Sequence, residues 1–272
     1  MLHGKLMRTP PMQAAIAVMR KVWFAGRDEP LAIAGYNLRY VPGTRPVRPV
    51  YKDDPDLIVR NDARQLLYFA ENIRRGETVI DVGANVGQYA VLFGALVGPA
   101  GRVVSFEPDR DARVLLERNV EINSLGARVK VEPLALFDKV GTHSFYSRIG
   151  DAMNSLERAG LGTNSGLADI RETIVHTIPL DDYLVSNGMP DPDWLKIDAE
   201  GAEINVLRGA RRALHGKTKI VCELHPYAWD SFGTSYEELE SIVAQAGRRI
   251  LPLEGAGEFS GRPGYGAVVI SW

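Results

Sequence analysis

From residue 78 onward the chain alternates short, continuously apolar runs with stretches in which apolar residues recur every three or four positions. The runs are Thr78 to Val82, Arg102 to Phe106, Val129 to Leu136, Asp193 to Ile197 and Lys219 to Leu224. Continuous apolarity is what a strand covered on both faces requires. Helical spacing fills the intervals: Gln88 to Val97, Asp109 to Asn123, Ala202 to Leu214 and Tyr236 to Ala246. Arg249 to Leu253 and Ala267 to Ile270 then follow with no helical pattern between them, which predicts an antiparallel C-terminal strand pair. Repeated strand and helix units of this kind predict an α/β fold built on a doubly wound, mostly parallel, Rossmann-like sheet.

Two regions break the rhythm. Residues 138 to 176 are polar and glycine-rich, with a hairpin predicted around Lys139 to Tyr146 and an insertion loop over 147–176 too long to be a mere connector. Before residue 61 the pattern is patchy. Met12, Ala15, Ile16, Met19, Val22 and Trp23 make one apolar helical stripe behind a leader over Met1 to Pro11, and residues 36 to 60 read as short strands cut by Pro42, Pro46, Pro49 and Pro55. Residues 1–60 are thus expected to form an N-terminal appendage, contributing to substrate or dimer contacts, on a domain spanning 61–272. That domain opens with a helical stripe of Ala63, Leu66, Leu67, Phe69, Ala70 and Ile73, stopped at Gly76.

Composition narrows the class only a little. A chain of 272 residues with one cysteine, Cys222, has no internal disulfide and no cysteine-based zinc site, and a cytoplasmic location is the expectation. A net charge of −2 provides no global basic field for nucleic acid. The apolar stretch near Met12 falls well short of the roughly 20 residues that span a bilayer.

Chemistry enters at Asp81-Val82-Gly83-Ala84-Asn85-Val86-Gly87, where an apolar strand runs through a glycine-bounded turn into a helix. In an open α/β sheet ligands sit at the carboxyl ends of the strands, so a nucleotide-like cofactor is expected here. Asn85 and Gln88 stand where a dinucleotide fingerprint needs glycine, and no Gly-Lys-Ser/Thr follows, which excludes a P-loop. Glu107, in Ser105-Phe106-Glu107-Pro108, ends the next strand about 20 residues further on, the position of a ribose-binding carboxylate. Asp81 suits the amine of an amino-acid moiety, and the backbone N–H groups of the turn suit its carboxylate. Adenosine joined to an amino acid is S-adenosylmethionine. The predicted cofactor contacts are Asp81, Gly83, Ala84, Asn85, Val86, Gly87, Glu107, Pro108, Ala135, Leu136 and Asp198.

With these motifs the sequence resembles the FkbM-type S-adenosylmethionine-dependent methyltransferases. The resemblance rests on residues 81–87, Phe106-Glu107-Pro108, Asn119 and Asn123, the block Leu195-Lys196-Ile197-Asp198-Ala199-Glu200-Gly201-Ala202-Glu203, and Glu223-Leu224-His225-Pro226. It runs in order through residues 62 to 272. It implies a class I methyltransferase sheet and methyl transfer, usually to oxygen on a small natural product, a sugar or a lipid.

The later blocks carry the candidate catalytic residues His225, Asp198, Glu200 and Glu203. Residues two apart on a strand share a face, so Lys196 pairs with Asp198 and Glu223 with His225 at the cofactor edge. His225 is the candidate base, because imidazole titrates near neutral pH. Two alternatives stand beside this. Asp198, Glu223 and His225 could bind a divalent cation such as Mg²⁺, although Gly201 replaces the lysine of catechol-type enzymes. Asp198 could instead hold the methionine amine, with Glu203 capping a helix and Glu200 bracing the turn. Met153 to Leu156 is a further candidate contact, and Arg39, Arg45, Arg48 and Arg60 a local basic patch. The competing functions are methylation of RNA or protein, disfavoured by the missing Asn/Asp-Pro-Pro-Tyr/Phe motif, and a non-catalytic nucleoside- or partner-binding module. A homodimer is open.

Overall fold

The computed structural model describes residues 28–33, 35–44, 57–148, 154–157, 170–253, 258–259 and 262–272. The apolar helix near Met12, the leader before it, and Arg45, Arg48 and Met153 lie outside these residues.

A seven-stranded sheet organises the chain. Its strands are β3 (Thr78–Val82), β4 (Arg102–Phe106), β5 (Val129–Glu132), β10 (Trp194–Ile197), β11 (Lys219–Leu224), β12 (Arg249–Pro252) and β15 (Gly266–Ser271), in the order β12-β15-β11-β10-β3-β4-β5. The five central and flanking strands from β11 to β5 are parallel, while β15 runs antiparallel to both β11 and β12. The C-terminal pair therefore forms as its pattern predicts, with Arg249 opposite Ser271, and its second strand inserts between the first and the body of the sheet.

Strand periodicity sorts the sheet's side chains into two cores. Val79, Val103, Val129, Trp194, Val221 and Ala267 face α1 (Leu57–Asn72), α2 (Gln88–Val97) and α3 (Arg110–Ile122) through Phe69, Phe93 and Leu116. Their neighbours Ile80, Val104, Leu195, Ile197, Ile220 and Leu224 face α4 (Leu180–Ser186), α5 (Glu203–Gly209), α6 (Arg211–His215) and α8 (Tyr236–Gln245). Burial on both faces explains why these strands read as unbroken apolar runs. None of the helices among the described residues is long and apolar enough to cross a membrane.

The hairpin of β1 (Glu29–Ile33) and β2 (Tyr36–Tyr40) places Leu31, Ile33, Leu38 and Tyr40 in the first core. These residues thus share the apolar interior of the sheet domain.

Several sequence expectations change. Val129 to Leu136 is two strands: β5 stays in the main sheet, whereas β6 (Ala135–Leu136) joins a second, four-stranded sheet with β7 (Gly141–Arg148), β8 (Asn154–Ser155) and β9 (Ile170–Ile178), in the order β6-β9-β7-β8. Residues 170–176, read as loop, belong to β9 and pair with β7, from Gly141 opposite Thr177 to Arg148 opposite Ile170. The predicted local hairpin is therefore a wide one, closed across the insertion. Half of this ribbon is solvated, and its polar alternating residues hid it among loop signals. The helix expected over Ala202 to Leu214 breaks at Ala210 into α5 and α6, and two short helices, α4 and α7 (Pro226–Trp229), were not anticipated.

Arg248 anchors the far end of the sheet. It is 3% exposed and has four carbonyl partners: Thr218 at 2.8 Å, Ile270 at 3.1 Å, Ala213 at 3.0 Å and Gly216 at 2.7 Å. Its guanidinium also stacks 4.0 Å from the Trp272 ring. Replacing Arg248 by Ala strands these buried acceptors and is expected to cost about 3 kcal/mol; urea unfolding should show the midpoint falling with an unchanged slope.

Candidate active site

The carboxyl ends of β3, β4, β10 and β11 converge on one acidic edge. Gly83 and Gly87 take left-handed backbone conformations, with φ of 71° and 83°. At Gly83 the requirement is also spatial: a Cβ would lie 1.8 Å from the Asp198 carbonyl oxygen. The turn after β3 and the turn after β10 are thus in direct backbone contact, which only glycine permits.

Glu107 closes the other side of the turn. Its carboxylate accepts from the Asn85 N–H at 2.7 Å and the Asp109 N–H at 2.8 Å, and burial pushes its pKa up to about 7. Asp109 in turn caps α3, accepting from the N–H groups of Asp111 and Ala112 at 2.9 Å each. Arg171 of β9 reaches Asp109 at 2.7 Å and Asp111 at 2.8 Å, pinning the second sheet beside the Glu107 end of the site.

Lys196 occupies the middle of the edge. It is 1% exposed, its Nζ lies 3.4 Å from both Asp81 and Asp198, and it sits 4.7 Å from the centre of the Tyr89 ring. Burial alone would lower its pKa; Asp198, Asp81 and Glu223 outweigh that and raise it. Asp81, paired directly across β3 and β10 with Lys196, is fully buried, and burial raises its pKa. This ion pair engages the carboxylate expected to meet a cofactor amine.

His225 lies at the end of β11 and is 1% exposed. Its imidazole is enclosed by acids at the strand end. Nδ1 lies 2.9 Å from Glu203 Oε1, while Nε2 faces Glu200 at 3.4 Å and Asp198 at 3.9 Å. Burial would lower its pKa, but Glu200, Glu203 and Asp198 raise it well above the ordinary histidine value. Glu203 is fixed further by the Gly201 N–H at 2.8 Å and the Trp229 indole N–H at 2.7 Å. Glu200 has φ of 46°, accepts from the Tyr227 hydroxyl at 2.8 Å, and is pushed by burial to about 7.

The cation candidates rearrange accordingly. Asp198, Glu200 and His225 each bring one ligand atom to within 4.8 Å of the others. Glu223, expected in that set, is drawn off to α1, where Gln65 donates to it at 2.8 Å. Ser155 of β8 donates to the Glu200 carbonyl at 2.7 Å, and Leu156 packs with Ala202, so the short candidate stretch in the insertion does meet the site. Ala135 and Leu136 are buried in two different core clusters. Of the basic patch, Arg39 is engaged with Asp28 and the Ile122 carbonyl.

A family model described as the methyltransferase FkbM domain matches residues 81–250. The chain belongs to this family. The FkbM match covers the glycine turn, Glu107, the Asp198 block and His225. Among curated relatives, the chain is 28% identical over 194 residues to the hexuronic acid methyltransferase AglP of Haloferax volcanii, covering 71% of this chain and 72% of that protein. It is 30% identical over 178 residues to the 31-O-demethyl-FK506 methyltransferase FkbM of Streptomyces tacrolimicus, covering 56% and 67%. A crystal structure of an FkbM methyltransferase from Methylobacillus flagellatus aligns with a TM-score of 0.46 and 17% identity over 80% of this chain and 56% of that one.

In this FkbM chain, sequence reasoning placed Lys196 at the cofactor edge without giving it a role, and missed Gln65 and Tyr227. A lysine inside an apolar strand and a glutamine on the apolar stripe of α1 were the available signals, since such groups enter a core only when partnered. Replacing Lys196 by Met leaves Asp81 and Glu223 buried without their cation. The expected cost is about 3–5 kcal/mol near neutrality. Both carboxyls have folded pKa values raised above their unfolded ones, so the loss grows as pH rises through the folded values and shrinks toward acid; urea midpoints at pH 5 and pH 8 should diverge between variant and wild type.

Proposed function

We propose that the protein transfers the methyl group of S-adenosylmethionine to a hydroxyl of a small acceptor, of the sugar, lipid or natural-product class. The observation that carries this reading is the enclosed His225, locked by Glu203 on one ring nitrogen and facing Glu200 and Asp198 with the other, where the Asp198 carbonyl meets the glycine turn. The family membership supports methyl transfer, and the AglP relative supports a sugar-like acceptor.

The residues present fit the cofactor. Glu107, at the end of the next strand, retains lone pairs for ribose hydroxyls beyond the two it uses on backbone N–H groups. When bound, the cofactor supplies an electrophilic methyl on a sulfonium. What remains for the chain is to align the acceptor oxygen and take its proton. The hydroxyl proton would leave to a base supplied by the chain.

We assign that base to Glu200. The acid cage keeps His225 in its charged form near neutrality, so the imidazolium acts as partner to the Glu200 carboxylate. A carboxyl titrating at about 7 is matched to proton removal at that pH. Tyr227, 48% exposed and hydrogen-bonded to Glu200, gives the proton a route to solvent. A second reading has one observation in its favour: the ligand atoms of Asp198, Glu200 and His225 within 4.8 Å of one another would suit a divalent cation that orients and acidifies the hydroxyl.

Calorimetry should show S-adenosylmethionine binding that Glu107→Ala weakens by more than about tenfold; absence of binding to the wild type would reject the reading. Labelled-methyl transfer to a panel including hexuronic acids should then show a rate that falls below about pH 7, as Glu200 takes up its proton. Glu200→Gln should lower kcat roughly 10²-fold or more and remove that acidic limb. Full activity after chelation excludes the cation reading, and activity restored only by added Mg²⁺ would replace the Glu200 assignment with it.

A further inference from the structure

Asn119 and Asn123, a helical turn apart on α3, take no part in the chemistry above. Their partners are different. Asn123 binds the hairpin away from the turn, accepting from the Arg39 N–H at 2.9 Å and donating to the Arg39 carbonyl at 2.6 Å, and it also donates to the Asn119 carbonyl of its own helix at 2.7 Å. Asn119 joins the hairpin to the cofactor turn. Fully buried, it accepts from the Val41 N–H at 2.7 Å and donates to Thr44 Oγ1 and to the Val86 carbonyl, both at 2.8 Å. Every donor and acceptor of its amide is used.

The Val86 carbonyl belongs to the peptide that leads into Gly87, whose left-handed conformation puts its Cα against Leu116 of the same helix. Two residues on, the Gln88 carbonyl accepts from the hydroxyl of Tyr40, a fully buried hairpin residue, at 3.1 Å. Glu107 holds the Asn85 N–H from the opposite side. The turn is thus gripped at three successive places: at 85 from within the site, and at 86 and 88 from α3 and the N-terminal hairpin.

We propose that the hairpin is a working part of the cofactor site, with Asn119 and Tyr40 as positioning residues that preorganise the Val86 to Gln88 backbone for the cofactor. The inference rests on the reading that S-adenosylmethionine lies at this turn. Preorganisation acts on affinity by removing the cost of ordering the turn at the moment of binding. The loss of either residue therefore raises the cofactor KM and leaves the turnover of the filled site intact.

The experiment compares Asn119→Ala, Tyr40→Phe and Asn123→Ala in the full chain. Cofactor KM and kcat are measured with the best acceptor of the panel, and hydrogen exchange is followed over residues 83–90 without cofactor. Asn119→Ala is expected to raise the KM for S-adenosylmethionine about tenfold, and Tyr40→Phe about threefold, with kcat within twofold of wild type. Both should speed exchange in the turn. Asn123→Ala removes the hold on Arg39 but leaves Tyr40 on the Gln88 carbonyl and Val41 on Asn119, so it should lower the melting temperature while leaving the KM nearly unchanged; a purely structural role would move all three variants together. Should Asn119→Ala fail to fold, Tyr40→Phe, which removes one hydroxyl, carries the test. An unchanged KM in the folded variants overturns the proposal. If wild-type protein binds no S-adenosylmethionine, the cofactor reading falls by itself, and unaltered exchange over 83–90 in the variants then overturns the coupling as well.

Discussion

A single buried ammonium group holds the working edge of this sheet together. Lys196 stands on the central strand β10, flanked by β3 and β11, and the carboxylates of Asp81, Asp198 and Glu223 surround it. Each of these groups would be expensive to bury alone, and mutual attraction in a poorly screened interior offsets that cost only when all are present. The cluster therefore acts as a unit. It ties the ends of three strands to one another, and with them the turns that follow. The contact between Gly83 and the Asp198 carbonyl is possible because those strand ends stay in register.

On this frame the site divides by charge. Toward Glu107 the N–H groups of the turn, which the sequence offers to a carboxylate, are all taken, by the Phe106 and Ala84 carbonyls and by the Asn85 and Glu107 side chains, and one buried acid remains. Toward His225 the arrangement is a cation enclosed by Glu200, Glu203 and Asp198. Glu203 is saturated by Gly201, Trp229 and His225, so it fixes the ring and has little capacity left for a ligand. Glu200 is the group with freedom: its left-handed backbone turns the side chain toward Tyr227 and the exposed rim.

The second sheet and the hairpin give this edge its walls. Phe137, Phe145, Leu156 and Val175 pack against Ala202, and Ser155 holds the Glu200 carbonyl, so the insertion bears directly on the turn after β10. Arg171 fastens the same sheet to the start of α3, and the hairpin is fastened to α3 further along through Asn119 and Asn123. One helix thereby coordinates the insertion, the N-terminal hairpin and the glycine turn after β3.

By itself the sequence determined the alternation of strands and helices, the antiparallel ending, the glycine turn and the set of acids at strand ends. These depend on local periodicity and on backbone conformations that few residues adopt, so they can be read one segment at a time. Only the tertiary structure decided that 170–178 is a strand, because its partner lies across an insertion and one of its faces is solvated. It also decided that Glu223 turns to Gln65 and leaves Glu200 to face His225, and that Asp81 is neutralised by Lys196. Which acid meets which base depends on strand order and register, which bring residues more than a hundred positions apart to within hydrogen-bonding distance. The protonation states that follow are properties of that shared, desolvated cluster and of no single residue in it.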